Sequence, residues 1–495
     1  MKGIKFLISG MFFFITLFSS AMAQAQPSLT TTSSIDEIRN ELKNMDVYVL
    51  EISLEDGEFP TFDKIEAPEG CGGVSITNNN YVLGSLRIEY KGNEVYNSGE
   101  YNKKKSGIKV KVRGNSSSYA DGVKKKSYKI KLEKKHDLLL RDSAGLEDKE
   151  WVLLGYASKF LHYVPGFEIG RQLGLGWQPE FRNVAVIMND QYMGSYYLCE
   201  PVKGGKNRVD IDDTGYIVEN DVYWWKPDET YFKTINQVST TGWTFKEPDT
   251  DDFHEMSIEN IKWVLNTVEQ KIYAGEEVDE MIDYRSFASW LLAHDIMNNA
   301  DPLGSNSFII KRDFNSLSPF ETKLEMGPLW DLDAAFTEES DDFAMIHRFI
   351  EHWFYKLWEL PAFRQTYTDV WLEVRDSIKE RCMEKMRQYI MDNPEINHLR
   401  TIDYNLHLVP IKYPTTEKEY ENMDKWFDQR IPVLNKLILN EAGVEDINGS
   451  SQNDSINQNF GETRSINIDG RPANKDTKGM VISFDTNGKV TKVMK

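Results

Sequence analysis

Asp301 and Asn306 stand five positions apart in the run Asn298-Asn299-Ala300-Asp301-Pro302-Leu303-Gly304-Ser305-Asn306, and Trp330-Asp331-Leu332-Asp333 follows further along the chain. A D-x-x-x-x-N element ahead of a second, isolated acidic turn suits phosphoryl transfer. One carboxylate receives a hydroxyl proton, while an Asn and another carboxylate hold Mg²⁺ against the phosphates. The first element alone is weak, because Asp and Asn gather in turns for backbone reasons. Asp331 and Asp333 share a face if the segment is an ideal strand and splay apart if it turns at Leu332, so the pair need not reach one metal together.

Countercharge for phosphate could come from residues 111–118 and 124–131. The first stretch carries a strand into the small-residue loop Arg113-Gly114-Asn115-Ser116-Ser117, and the second returns bearing Lys124, Lys125, Lys126, Lys129 and Lys131. Backbone N–H groups of small residues can approach phosphate oxygens, with a lysine supplying charge. The competing reading is a hairpin with a solvated basic face. Glu168 lies within a helical pattern and Glu219 follows an apolar run; each could line a cleft or simply face water. No H-E-x-x-H or G-x-S-x-G occurs, and the eight histidines, His347 and His352 among them, are scattered.

These residues need a scaffold. Residues 47–52, 86–90, 108–112 and 127–132 read as strands, with alternation clearest in the last three. A helix is expected over 159–175. Two strands at 184–188 and 192–199 should then turn at Asn189-Asp190. Beyond about Ser257 helical patterns dominate, at 261–273, 284–299, 347–358, 363–392 and 417–441. The spacing of Phe287, Trp290 and Leu291 marks a buried face of the helix that delivers Asp301. A β-rich half followed by a helical half is an α+β arrangement with a cleft between them. The boundaries expected are a signal peptide at 1–23, a polar leader at 24–44, a β-rich lobe at 45–222, a mainly helical lobe at 223–444, a linker at 445–462 and a short β-type module at 463–495. The last is similar to tails that close many secreted bacterial proteins.

Composition narrows the partners. The 495 residues carry 58 Lys+Arg against 78 Asp+Glu, a formal charge of −20, which disfavours binding to nucleic acid or anionic membranes. Hydrophobic residues at 40% are ample for a core. Lys2 and Lys5, the apolar run 6–18 and Ala21-Met22-Ala23 have the order of a secretory signal, so export is expected, with no membrane span left in the mature chain. Cys71, Cys199 and Cys382 give no dense disulfide framework, at most one bridge, and no zinc spacing.

Taken in order, the motifs resemble the CotH (spore coat protein H) kinase family of atypical secreted protein kinases. The resemblance rests on Arg113-Gly114-Asn115-Ser116-Ser117, Lys125-Lys126-Ser127-Tyr128-Lys129-Ile130-Lys131-Leu132 and Trp151-Val152-Leu153-Leu154. It continues through residues 189–200, Gly215-Tyr216-Ile217-Val218-Glu219, Asp301 with Asn306, and Trp330-Asp331-Leu332-Asp333, so that it spans 45–440. It implies a kinase-like two-lobed fold and transfer of phosphate from ATP, with Mg²⁺ or Mn²⁺, to Ser or Thr of a secreted or surface protein. It assigns Asp301 as the catalytic carboxylate, and Asn306 and Asp331 as metal ligands with Asp333 in reserve. Arg113 and Lys131, with Lys126 as rival, would meet the phosphates, and Glu168 would pair with the lysine. The chain departs from the family in having Ser127 where Pro is usual and no closing Gly after Asp333. A catalytically weak, kinase-like surface binding or adhesion protein is the competing reading.

Overall fold

The structure, a computed structural model, describes residues 29–77, 80–119, 124–155, 161–227, 229–248, 255–336, 353–408 and 415–442, and three strands within 464–494. The expected signal peptide, the linker, His347 and His352 lie outside the described residues. Part of the expected polar leader is a helix, α1 (Ile35–Lys43). Ser34 and Glu37 form a reciprocal capping box at its start, and Ile38 and Leu42 are buried. A polar composition concealed it because only those two positions face inward.

Strands β1 (Tyr48–Leu54), β2 (Lys64–Glu66), β3 (Val74–Ile76), β4 (Val82–Tyr90), β5 (Asn93–Asn97) and β6 (Ile108–Arg113) come first. The short helix α2 (Ser116–Tyr119), β7 (Ser127–His136), β8 (Asp148–Leu154), α3 (Tyr163–Gln172), β9 (Phe181–Met188) and β10 (Gln191–Cys199) follow. The main sheet runs β1-β9-β10-β8-β7-β6-β4-β5, and β1 also pairs with β4. That extra pairing closes seven strands into a barrel and leaves β5 on the same edge of β4 that β6 uses further up. The sequence pattern suggested a mostly antiparallel sheet and said nothing of its closure. Closure removes the edges, and it does so through a parallel β1–β9 pair. Gly84 permits the seam, since a Cβ there would run into the Ser53 carbonyl.

Alternation then sorts every strand. Ile108, Val110 and Val112 on β6, Ile130 on β7 and Trp151 on β8 fill the barrel. The intervening residues form its outer wall. Along β8 and β10 that wall is apolar, and Val152, Leu154, Tyr197 and Cys199 join the core of the helical half. Along β6 and β7 it is cationic. The β9–β10 hairpin turns at Asn189 and Asp190, both at positive φ, as the sequence suggests.

A second sheet, β12-β13-β11-β14-β15, is built from β11 (Tyr216–Asp221), β12 (Tyr231–Phe232), β13 (Gly242–Glu247), β14 (Ser307–Lys311) and β15 (Leu324–Met326). It crosses residue 222, the expected limit of the β-rich lobe, because β11 hydrogen-bonds to β13 and β14 from beyond that point. Around it lie α4 (Glu255–Tyr273), α5 (Tyr284–Met297), α6 (Phe354–Leu357), α7 (Pro361–Val374), α8 (Ile378–Asp392), α9 (Ile396–Asn405) and α10 (Thr416–Ala442). The single helix expected at 363–392 is two, α7 and α8, and the α+β class holds. No helix among the described residues is long and apolar enough to cross a membrane. In the tail β16 (Arg464–Asn467), β17 (Met480–Phe484) and β18 (Val490–Met494) form an antiparallel sheet.

Barrel and helical half are also joined by a buried ion pair. Lys125 Nζ lies 2.8 Å from Asp403 Oδ2 on α9, both side chains almost wholly enclosed. Tyr192 OH, the Ser195 hydroxyl and the Ser195 N–H also donate to Asp403.

Candidate active site

Helix α5 is buried from Phe287 to Met297 and stops at Asn298, which takes the left-handed conformation. The Asn299 N–H closes on the His294 carbonyl at 2.9 Å, and the Asn299 side chain accepts the Asp301 N–H at 3.3 Å. Asp301 therefore opens a 3-10 turn, Asp301–Leu303, from a fixed helix end. The chain passes Asn306 at φ 60° before entering β14. That conformation is secured from β11. Glu219 Oε1 accepts the Asn306 N–H at 2.7 Å, while Lys246 Nζ of β13 holds the other Glu219 oxygen at 2.6 Å. Ser305 donates to Asp221 at 3.3 Å. Burial, and then the Glu219 charge, push the Asp221 carboxyl up to about 7.

The second acidic segment faces the same place. Trp330 is buried, and Asp331 sits half-buried at φ 55°. Leu332 is wholly buried against Gly166 of α3, where a Cβ would overlap it. Asp333 is more exposed and accepts the Tyr163 hydroxyl at 2.7 Å, with His162 Nε2 3.6 Å away. Burial raises the Asp331 carboxyl well above the ordinary range. The charges of Asp333 and Asp301 raise it further, and Arg113 opposes them. Arg113 itself lies over the Trp330 ring, 5.6 Å from its centre. Asp301, Asp331, Asp333, Glu219 and Arg113 thus share one electrostatic neighbourhood although they come from four separate stretches of chain.

A divalent cation suits this donor set. Among the described residues no three His, Cys, Asp or Glu side chains converge as an all-protein cage. Mg²⁺ does not need one: it binds through one or two carboxylates, with phosphate oxygens and waters completing the octahedron. Asp331, whose like-charged neighbours disfavour its ionised form, is the carboxylate that such an ion would relieve most.

The lysine assignments fare differently. Lys131 is half-buried and lies 3.3 Å from Glu150, while Lys129 holds the other Glu150 oxygen at 2.7 Å. Burial alone would raise Glu150, but Lys129, Lys203 and Lys131 carry it down to about 2. Glu168 does not meet Lys131. It accepts from Gln172 one turn on, lies 3.7 Å from Arg171 and projects its charge onto Cys382 of α8. The face of α3 carrying Glu168 is turned toward α8. Lys126 packs its Nζ over the Phe62 ring at 4.8 Å. The carboxylate partner of the β7 lysines is therefore Glu150, which follows from the β7–β8 register. Lys246, Tyr163 and His162 are further polar residues of the site that motif reading passes over. Cys71, Cys199 and Cys382 are unpaired, and burial pushes the Cys199 and Cys382 thiols up.

No curated protein matches the chain. A family model described as CotH kinase protein matches residues 110–434, from β6 to the middle of α10 and so including every element that builds the site. With two thirds of its length under that match, and with Asp301, Asn306 and Asp331 set on the turns described above, the chain belongs to the CotH kinase family.

Proposed function

We propose that the protein is an atypical protein kinase that transfers the γ-phosphate of ATP to Ser or Thr hydroxyls of proteins outside the cytoplasm. The observation that carries this reading is the grouping of Asp301, Asp331 and Asp333 beside Arg113, with Asp331 held well above its ordinary range by burial and then by its like-charged neighbours. Such a grouping is costly in the free protein. Mg²⁺ bound with a polyphosphate would turn it into attraction, neutralising the charge of the transferring group. Asp331 and Asn306 are the residues to hold that ion. Asp301, on a separate turn, accepts the proton of the incoming hydroxyl. Arg113 offers a planar fork of donors to phosphate oxygens. Glu219 and Lys246 act on Asn306 through its backbone and keep its conformation fixed.

On this reading the barrel serves as the nucleotide-covering lobe, and the second sheet with its helices as the lobe that carries Asp301 and Asp331. Export is supported by the signal-like order of residues 1–23. Nucleotide binding tests the reading first. Titration of the full chain with ATP by calorimetry should show binding with Mg²⁺ or Mn²⁺ and little in EDTA; equal binding in EDTA contradicts it.

A further inference from the structure

Strand alternation sets a row of cations on the barrel's outer wall next to the site. Lys109, Lys111 and Arg113 come from β6, and Lys129 and Lys131 from β7, with Lys109 opposite Lys131 and Lys111 opposite Lys129. Their carboxylate partners separate them. Lys109 pairs with Glu133 at 3.3 Å, and Lys129 and Lys131 share Glu150. Lys226, whose charge reaches Lys111, pairs with Glu229 at 3.5 Å, and Lys246 with Glu219. Among these cations only Lys111 and Arg113 have no carboxylate of the described residues within ion-pair distance. Both are half-buried and both lie against rings, Lys111 Nζ at 4.8 Å from the centre of Tyr81 and Arg113 over Trp330. A ring face stabilises a cation less than an opposite charge does.

The direction of the row is informative. Arg113 stands beside Asp331, since its charge is the one that opposes the rise of that carboxyl. Lys111 is the next residue on the same face, about 6.6 Å along the strand. An anionic chain that starts at Asp331 and follows β6 meets the two unpaired cations in succession. Burial and the charges of Lys129 and Lys226 pull Lys111 down to about 8, against the opposing pull of Glu150 and Glu229. An anion laid there would lift that penalty.

We infer that Lys111 and Arg113 hold the polyphosphate of the nucleotide along β6, Lys111 filling the place that motif resemblance gives to Lys131. The inference rests on the kinase reading above. Its test measures binding of Mg-ATP, Mg-tripolyphosphate and adenosine to the full chain and to its Lys111→Met, Lys109→Met and Lys131→Met variants. Lys111→Met should weaken the two phosphate ligands by roughly tenfold to a hundredfold, the range for losing a hydrogen bond to a charged group. Adenosine should be unaffected, and Lys109→Met should bind as wild type does. If Lys111→Met binds Mg-ATP like wild type, or if only Lys131→Met loses it, the assignment is overturned while the kinase reading stands. If wild type binds neither phosphate ligand, both fall.

The wild-type pH profile is an independent arm, needing no folded Lys111→Met. Affinity should fall as pH rises through about 8, where Lys111 loses its charge; Lys111→Arg should remove that fall. A profile identical in wild type and Lys111→Arg overturns the inference.

Discussion

Asp331 and Asp333 are two residues apart and lie in different surroundings. Asp331 is the half-buried carboxylate that burial and its neighbours press toward neutrality, whereas Asp333 is tied to the Tyr163 hydroxyl on α3. Asp331→Asn should therefore abolish the metal dependence of ATP binding, because an amide cannot balance the charge of Mg²⁺. It should leave the ligand-free protein at least as stable as wild type, since it removes a like charge from the group. Asp333→Asn should keep metal dependence and cost about 1 kcal/mol or less, because an amide oxygen can still accept the Tyr163 hydroxyl. Metal titrations and thermal unfolding of both variants decide it; loss of metal dependence in Asp333→Asn alone reverses the roles. At this scale the spacing of Asp301, Asn306 and Asp331 makes them candidates in the sequence, because acidic and amide side chains on loops between apolar elements stand out there. The partners of the lysines were not legible. Glu150 meets Lys129 and Lys131 only through the β7–β8 register, and Glu168 is directed by how α3 packs on α8.

Among the elements, the β9–β10 hairpin and α9 are locked by Lys125 and Asp403, an ion pair removed from water and supported by Tyr192 and Ser195. Removing one partner from such a pair leaves a buried charge uncompensated. Lys125→Met should therefore destabilise the fold by about 3–5 kcal/mol. Lys125→Met with Asp403→Leu should recover much of that loss, since an apolar pair has no charge to desolvate. Denaturant unfolding of the single and double variants measures both, and equal stability of Lys125→Met and wild type would show that the pair does not hold the halves together. Local pattern made the strands of the barrel visible: the alternation of Ile108, Val110 and Val112 with Lys109, Lys111 and Arg113 already separates inside from outside. Closure was not visible, because it depends on β1 pairing in parallel with β9, far along the chain, and on Gly84 at the seam. Helix α1 was hidden for the opposite reason, its two buried residues being too few to mark a polar stretch as helical.

Across the whole molecule, a chain of formal charge −20 sets Lys111 and Arg113, which meet no carboxylate of the described residues at ion-pair distance, on one wall of a barrel beside grouped carboxylates from the helical half. That juxtaposition of opposite fields suits a metal–polyphosphate complex, which is itself an alternation of cation and anion. The family match covers the strands that bear the cations and the turns that bear the carboxylates, but β1 to β5 precede it, although β1 and β4 are needed to close the barrel. The most direct test of the account is transfer of labelled γ-phosphate from ATP, with Mg²⁺ or Mn²⁺, to the chain itself or to a Ser/Thr-rich protein. Wild type is compared with Asp301→Asn, with ATP affinity measured alongside. The account predicts labelling by wild type that vanishes in EDTA, and its loss in Asp301→Asn with ATP affinity nearly unchanged. Labelling that persists in Asp301→Asn, or wild type that binds Mg-ATP and transfers nothing to any hydroxyl, would contradict it.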